Sequence, residues 1–287
     1  MLSLLSILMV KGQQAIVVKY DSLLFGETRC PGLWVNIPES SIADIEKDWK
    51  KKLEKGTKSK VLNKENEMTI FGAQWGDISP EPVNVFSRFK EADSASRLFV
   101  AVELKRDEFI TKQSPQYTAL ENMLVSFAKD KYLSVANDQL ANESKKLKDL
   151  EKNLESLRKN KQKLESQIKT EQTAIDQENY RMVTTQKELE EINKNLTLMA
   201  TELATLDEAE RKSKEAEIKN LEKQKKSNLK NISSSESKVS KSTDSIADKN
   251  TAIAINLKEQ SEVMTAIADQ TMVVRKYESK VNTIKSY

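Results

Sequence analysis

Catalysis draws on a short list of side chains, and this chain lacks the most versatile of them. Its 287 residues include no histidine, and cysteine occurs once, at Cys30. That excludes Ser-His-Asp and Cys-His nucleophilic chemistry, histidine-ligated zinc and any disulfide within the chain. Cys30, beside Pro31, has no activating neighbour in sequence and reads as a small apolar residue. Lysine, serine and carboxylate remain. Lys47, Lys50, Lys51, Lys52 and Lys55 could gather an anion, but Asp44, Glu46, Asp48 and Glu54 interleave with them, so a solvated helix face is expected. Trp75 and Asp77 sit beside a turn-rich loop and could line a pocket, although an aromatic at a strand end more often joins a core. No spacing or apolar setting marks any two carboxylates as a general acid and base. Glycine-rich phosphate loops and calcium-loop spacing are absent, and Asn-x-Ser/Thr triplets at Asn142, Asn195 and Asn231 are expected by chance in so polar a segment. No catalytic, cofactor-binding or metal site is predicted.

The elements that would position such residues divide the chain in two. All six glycines lie at or before Gly76 and all five prolines at or before Pro115, and the three tryptophans, Trp34, Trp49 and Trp75, fall in the same part. Residues 13–113 read as a small α+β domain, an antiparallel sheet with one helix. Strands are expected at Ile16–Val18, Leu33–Ile37, Met68–Trp75, Val83–Phe89 and Leu98–Leu104, with Gly26, Pro31 and Gly32 turning the chain between the first two. A helix over 41–55 takes Ser40 or Ser41 as its cap and stops at Gly56. Its apolar face, Ile42, Ile45, Trp49 and Leu53, should cover the sheet. Ser114 and Pro115 suit the cap and first turn of the next helix.

From Gln116 to Tyr287 there is neither glycine nor proline, and the composition is that of a long helix. Steps of three and four residues trace Leu147, Leu150, Leu154, Leu157, Leu164, Ile168, Ile175, Met182, Leu189, Ile192, Leu196, Met199, Leu203 and Leu206. Only Lys161, Glu171, Glu178 and Thr185 interrupt this coiled-coil seam. A weaker run starts at Leu229 and Ile232 and continues through Val239, Ile246, Ile253, Leu257, Met264, Ile267, Val274 and Val281. The two runs differ in register, and between them residues 207–216 hold no large apolar side chain. A skip residue would absorb the slip within one helix. We expect instead an antiparallel helical hairpin over 114–287, reversing at 207–217. That would set Met264, Ile267, Met272, Val273 and Val274 opposite Met123, Leu124, Phe127, Leu133 and Val135 or their neighbours.

Residues Leu2–Val10 are an apolar run too short to span a bilayer, and with Val10 and Gly12 they resemble a signal peptide over 1–12, cut before Gln13. No transmembrane helix is expected in the mature chain. Basic and acidic residues nearly balance in both parts, at a net charge of +3, so no nucleic-acid partner is expected. The predicted function is that of a non-enzymatic structural or interaction protein of the cell envelope, periplasm or secreted space. Its expected partner is another protein, or a second copy in a homo-oligomer, engaged through the helices. The alternative is a cytoplasmic coiled-coil scaffold or chromosome-associated protein.

Overall fold

A computed structural model describes residues 15–93 and 95–286. The predicted leader, 1–12, lies outside the described residues. By its contacts the chain divides into two units: Met1–Leu147 with Gln270–Tyr287, and Lys148–Asp269. The first unit therefore includes helical residues that the sequence assigns to the coiled coil.

The first unit contains an antiparallel sheet of β1 (Val18–Phe25), β2 (Thr28–Pro38), β3 (Leu62–Lys64), β4 (Glu67–Ala73), β5 (Val83–Ala92), β6 (Ala95–Lys105) and β7 (Glu108–Phe109). Its strand order is β1-β2-β6-β5-β4-β3, with β7 paired to β6. One helix, α1 (Ile42–Glu54), follows β2. The long helices are α2 (Tyr117–Glu202) and α3 (Glu208–Lys285), packed on each other as an antiparallel hairpin. This is the α+β domain with a helical hairpin expected from the sequence.

Several boundaries move, for identifiable reasons. The first turn is at Gly26 and Glu27, with Gly26 at φ 62°, and Pro31 and Gly32 lie inside β2. Pro31 fits there because the ladder between β2 and β6 starts only at Leu33 and Val100, so its missing N–H is not needed. Gly32 is required by crowding: a Cβ would stand 2.4 Å from the Val100 carbonyl oxygen and 2.7 Å from the Phe99 ring. Ser41 caps α1, its hydroxyl accepting from the Asp44 N–H at 3.2 Å, and Gly56 ends the helical stretch at φ 77°. Ser114 does not cap α2. Its hydroxyl accepts from the Thr111 N–H at 2.9 Å and closes the preceding turn.

The inner face of the sheet, Leu33, Val35, Ile37, Val85, Leu98 and Val100, packs under Ile45, Trp49 and Leu53 of α1 and under Leu120, Leu124 and Phe127 of α2. Trp49 joins these layers. Its indole N–H donates to Ser87 Oγ of β5 at 2.8 Å, and its ring meets Phe127 of α2 edge-on at 5.0 Å. The expected placement of Met123, Leu124 and Phe127 opposite the C-terminal apolar patch is thereby corrected, since this turn of α2 covers the sheet. The end of α3 instead packs further along α2, where Val281 and Ile284 form a small core with Tyr132 and Ala136.

A polar clamp completes this unit. Lys280 Nζ donates to Glu39 Oε2 at 2.6 Å and to Gln139 Oε1 at 2.9 Å, above the rings of Tyr132 and Tyr277. Lys131 pairs with Asp48 of α1. Burial works to raise the Glu39 carboxyl, but the hydrogen bonds from Lys280 and Gln139 and the Lys280 charge outweigh it and hold it below the ordinary value of 4.5. Hydrogen bonds from Lys131 and Lys51 likewise hold Asp48 low.

Two outcomes are expected. Gly32→Ala should lower unfolding stability in urea by roughly 1–3 kcal/mol, because neither a backbone carbonyl nor a packed ring can withdraw cheaply. Both clamp carboxyls have depressed folded-state pKa values, so their stabilisation is complete above the unfolded-state range of about 4–4.5 and is lost as pH falls through the folded values. The thermal midpoint should drop across that acid window, and Lys280→Ala should make the drop smaller.

Candidate functional site: the hairpin seam

Within the second unit, each side chain of the α2 stripe is buried or half-buried: Leu150, Leu154, Leu157, Leu164, Ile168, Ile175, Met182, Leu189, Ile192, Leu196 and Met199. The polar interruptions Lys161, Glu171, Glu178 and Thr185 are half-buried as well, so the three-and-four spacing holds across them. Leu203 and Leu206 are half-buried in the link, and Leu147, in the first unit, is half-buried too. An α-helix with a stripe this narrow has one covered face and a solvated remainder.

The stripe on α3 differs from the predicted one. Ile232, Val239, Ile246, Ile253, Ile267, Val274 and Val281 lie on it, but Leu257 and Met264 do not; they are 47 % and 46 % exposed. Leu229, the predicted start of this run, is also exposed. At each of these points the covered residue is one position earlier: Asn228, Asn256 and Val263. Asn228, Ser235, Ser242, Lys249 and Asn256 stand seven residues apart and form a polar ladder along one seam position. Apolar counting passes over such a ladder and settles on the neighbouring Leu229 and Leu257, whereas at Met264 the covered neighbour, Val263, is itself apolar. Adding serine and asparagine at heptad spacing would have revealed it.

The ladder fixes which residues face each other. Asn228 Nδ2 donates to Glu188 at 3.1 Å, Ser235 Oγ donates to Glu178 at 2.8 Å, and Lys249 lies 3.8 Å from Glu171. Asn256 Nδ2 donates to the Leu157 carbonyl oxygen at 3.1 Å, and its own Oδ1 accepts from Gln260 Nε2 at 2.7 Å. Numbers rise along α3 as they fall along α2, as the antiparallel arrangement demands. Glu178 serves several donors, Ser235 first and then Lys238, and these keep its carboxyl below the ordinary range. In the first unit the same role falls to Gln270, whose Nε2 donates to Glu143 Oε2 at 2.7 Å and to the Glu143 carbonyl oxygen at 3.0 Å.

The reversal is shorter and earlier than expected. The link is Leu203 to Asp207, and most of the expected turn, 207–217, is the start of α3. Asp207 is the reason: its Oδ1 accepts from the N–H groups of Ala209 and Glu210 at 3.1 and 2.9 Å, and Glu208 and Glu210 place negative charge in the first turn. Asp207 followed by Glu210 is a capping signature that the sequence carries plainly. Lys214 then bridges back to Glu202 at 2.9 Å.

The other candidates gather no chemistry. The Lys47–Lys55 group stays largely exposed, with Lys51 paired to Asp48 at 3.0 Å. Trp75 is buried in the core, edge-on to Trp49 at 5.8 Å, while Asp77 is exposed. Cys30 is wholly buried; burial first, then the Glu103 charge, pushes its thiol up to about 11, so it stays protonated. Among the described residues, no group of three acidic or sulfur side chains could hold a metal ion, and no helix is long and apolar enough to cross a membrane.

The polar pair at Asn256 and Gln260 gives a direct test of the ladder. Asn256→Leu alone leaves the buried Gln260 amide without its acceptor and should cost about 1–3 kcal/mol. Asn256→Leu with Gln260→Leu removes both partners and should restore or raise the thermal midpoint; a double variant less stable than the single one would refute a register-setting rather than stabilising role. Comparison with protein-family models and with curated proteins finds no match to this chain.

Proposed function

We propose that this chain is a non-enzymatic structural or interaction protein of the cell envelope or secreted space, and that its helical hairpin pairs with further helices. The observation that carries the reading is the set of large apolar side chains left outside the seam of the second unit. Tyr180 is 75 % exposed and Ile255 57 %, and Val183, Leu198, Leu229 and Leu257 are exposed with them. Two helices cover each other along one stripe only. Apolar side chains in excess of that stripe are what a third or fourth helix would cover, whether from a second copy or from another protein. The absence of histidine and the protonated, buried thiol of Cys30 support a role without catalysis.

Sedimentation of the full chain over a range of concentrations tests the pairing. The wild type should associate, and Leu229→Lys with Leu257→Lys should hold it monomeric without lowering its helix content. A wild type that is monomeric at every concentration would rule out self-pairing and assign the exposed residues to a different protein. For export, the mature chain isolated from its host should begin at Gln13; an intact Met1 in the cytosol would remove the envelope from this reading.

A further inference from the structure

Among the described residues, no helix covers the outer face of the sheet. The β1–β2 hairpin curls over part of it: the Phe25 ring lies 6.1 Å from Phe99 and 5.6 Å from Phe86, and the Arg88 guanidinium stands over Phe25 at 4.8 Å. The curl leaves a concave cleft of about 390 Å³ lined by Lys19, Asp21, Trp34, Asn36, Lys90 and Arg97, among others. That volume is in the range of small-ligand sites. Strand register brings the group together from four strands. Lys19 stands opposite Trp34, and Arg97 stands opposite Asn36 on one side and Lys90 on the other.

The charges in this cleft are arranged against stability. Lys90 and Arg97 are direct cross-strand partners, and like charges at that spacing repel. None of Lys19, Lys90 and Arg97 has an ion-pair partner among the described residues. Elsewhere in the same sheet the opposite arrangement appears, since Arg88 faces and pairs with Glu67. The one acid among the described residues that line the cleft, Asp21, is already engaged: its Oδ2 accepts the Trp34 indole N–H at 3.3 Å and its Oδ1 accepts the Ser22 N–H at 2.8 Å. Those bonds orient the half-buried Trp34 ring, which Phe99 supports edge-on at 5.3 Å. Three cations against one carboxylate leave an excess that matches a dianion, and the oriented indole offers a flat apolar surface beside it.

We propose that this cleft binds a phosphate monoester carried on a flat ring, with the phosphate held by Arg97, Lys90 and Lys19 and the ring laid against Trp34. The guanidinium supplies paired donors to two phosphate oxygens, the ammonium groups add charge, and the Asn36 amide can donate to a third oxygen. The site is one of binding, and it stands independently of the helical hairpin.

Trp34 fluorescence in the full chain reads out occupancy, because Trp49 and Trp75 are buried in the core on the other face. Adenosine monophosphate should quench it saturably, with inorganic phosphate and adenosine each far weaker, and Trp34→Phe should abolish the change. Lys90→Ala and Arg97→Ala should each weaken binding by about tenfold or more. Each should also leave the ligand-free thermal midpoint unchanged or raised, because one of two opposed cations is gone. Equal binding of adenosine and its monophosphate, an Arg97→Ala variant that binds like the wild type, or a glutamate-rich peptide that outcompetes the nucleotide would overturn the assignment.

Discussion

A helix with a single narrow apolar stripe cannot stand alone in water, and this constraint governs the second half of the chain. The α2 stripe runs from Leu147 through Met199 with few polar interruptions, and Leu203 and Leu206 carry it into the link. α3 meets it with a seam in which isoleucine and valine share the positions with Asn228, Ser235, Ser242, Lys249 and Asn256. α2 thus supplies most of the large apolar side chains of the seam, and α3 supplies polar donors to acceptors on α2. An all-apolar pair would bury more surface but would specify its alignment less sharply, whereas Asn256 on the Leu157 carbonyl and Ser235 on Glu178 add directional bonds that reinforce the alignment set by the short link.

The sheet domain meets a different constraint. Its inner face is closed by α1 and by the first turns of α2, joined through Trp49, so the helix that begins the hairpin is also a structural layer of the domain. Among the described residues, the outer face carries the small aromatic cluster around Phe25, Phe86 and Phe99, beside the exposed charges of Lys19, Lys90 and Arg97.

Much of this could be read from residue order, and the gaps have physical causes. The α1 face of Ile45, Trp49 and Leu53 and the α2 seam were legible because both repeat at helical spacing in large apolar residues. On α3 the apolar spacing favours Leu229 and Leu257 where the covered positions are the amides Asn228 and Asn256, which burial accepts only when they find partners that sequence spacing does not show, and at Met264 it falls one residue past the equally apolar Val263. Pro31 and Gly32 looked like a turn because their usual meaning is local. Here one sits beyond the end of a ladder, and the other makes room for a ring sixty-odd residues away in the chain. The cleft was invisible for a related reason: Lys19, Lys90 and Arg97 become neighbours only through strand register.

The clamp of Lys280 on Glu39 and Gln139 makes the helical part a closed excursion, since the chain leaves the sheet domain through α2 and is fastened to it again at the end of α3. Covalent continuity at the link 203–207 is then not what holds α3 in place. A chain cut there would remain one particle, its two pieces joined by the seam and the clamp. The same geometry would let the link be lengthened, replaced by another domain or turned into new termini while both seams keep their partners.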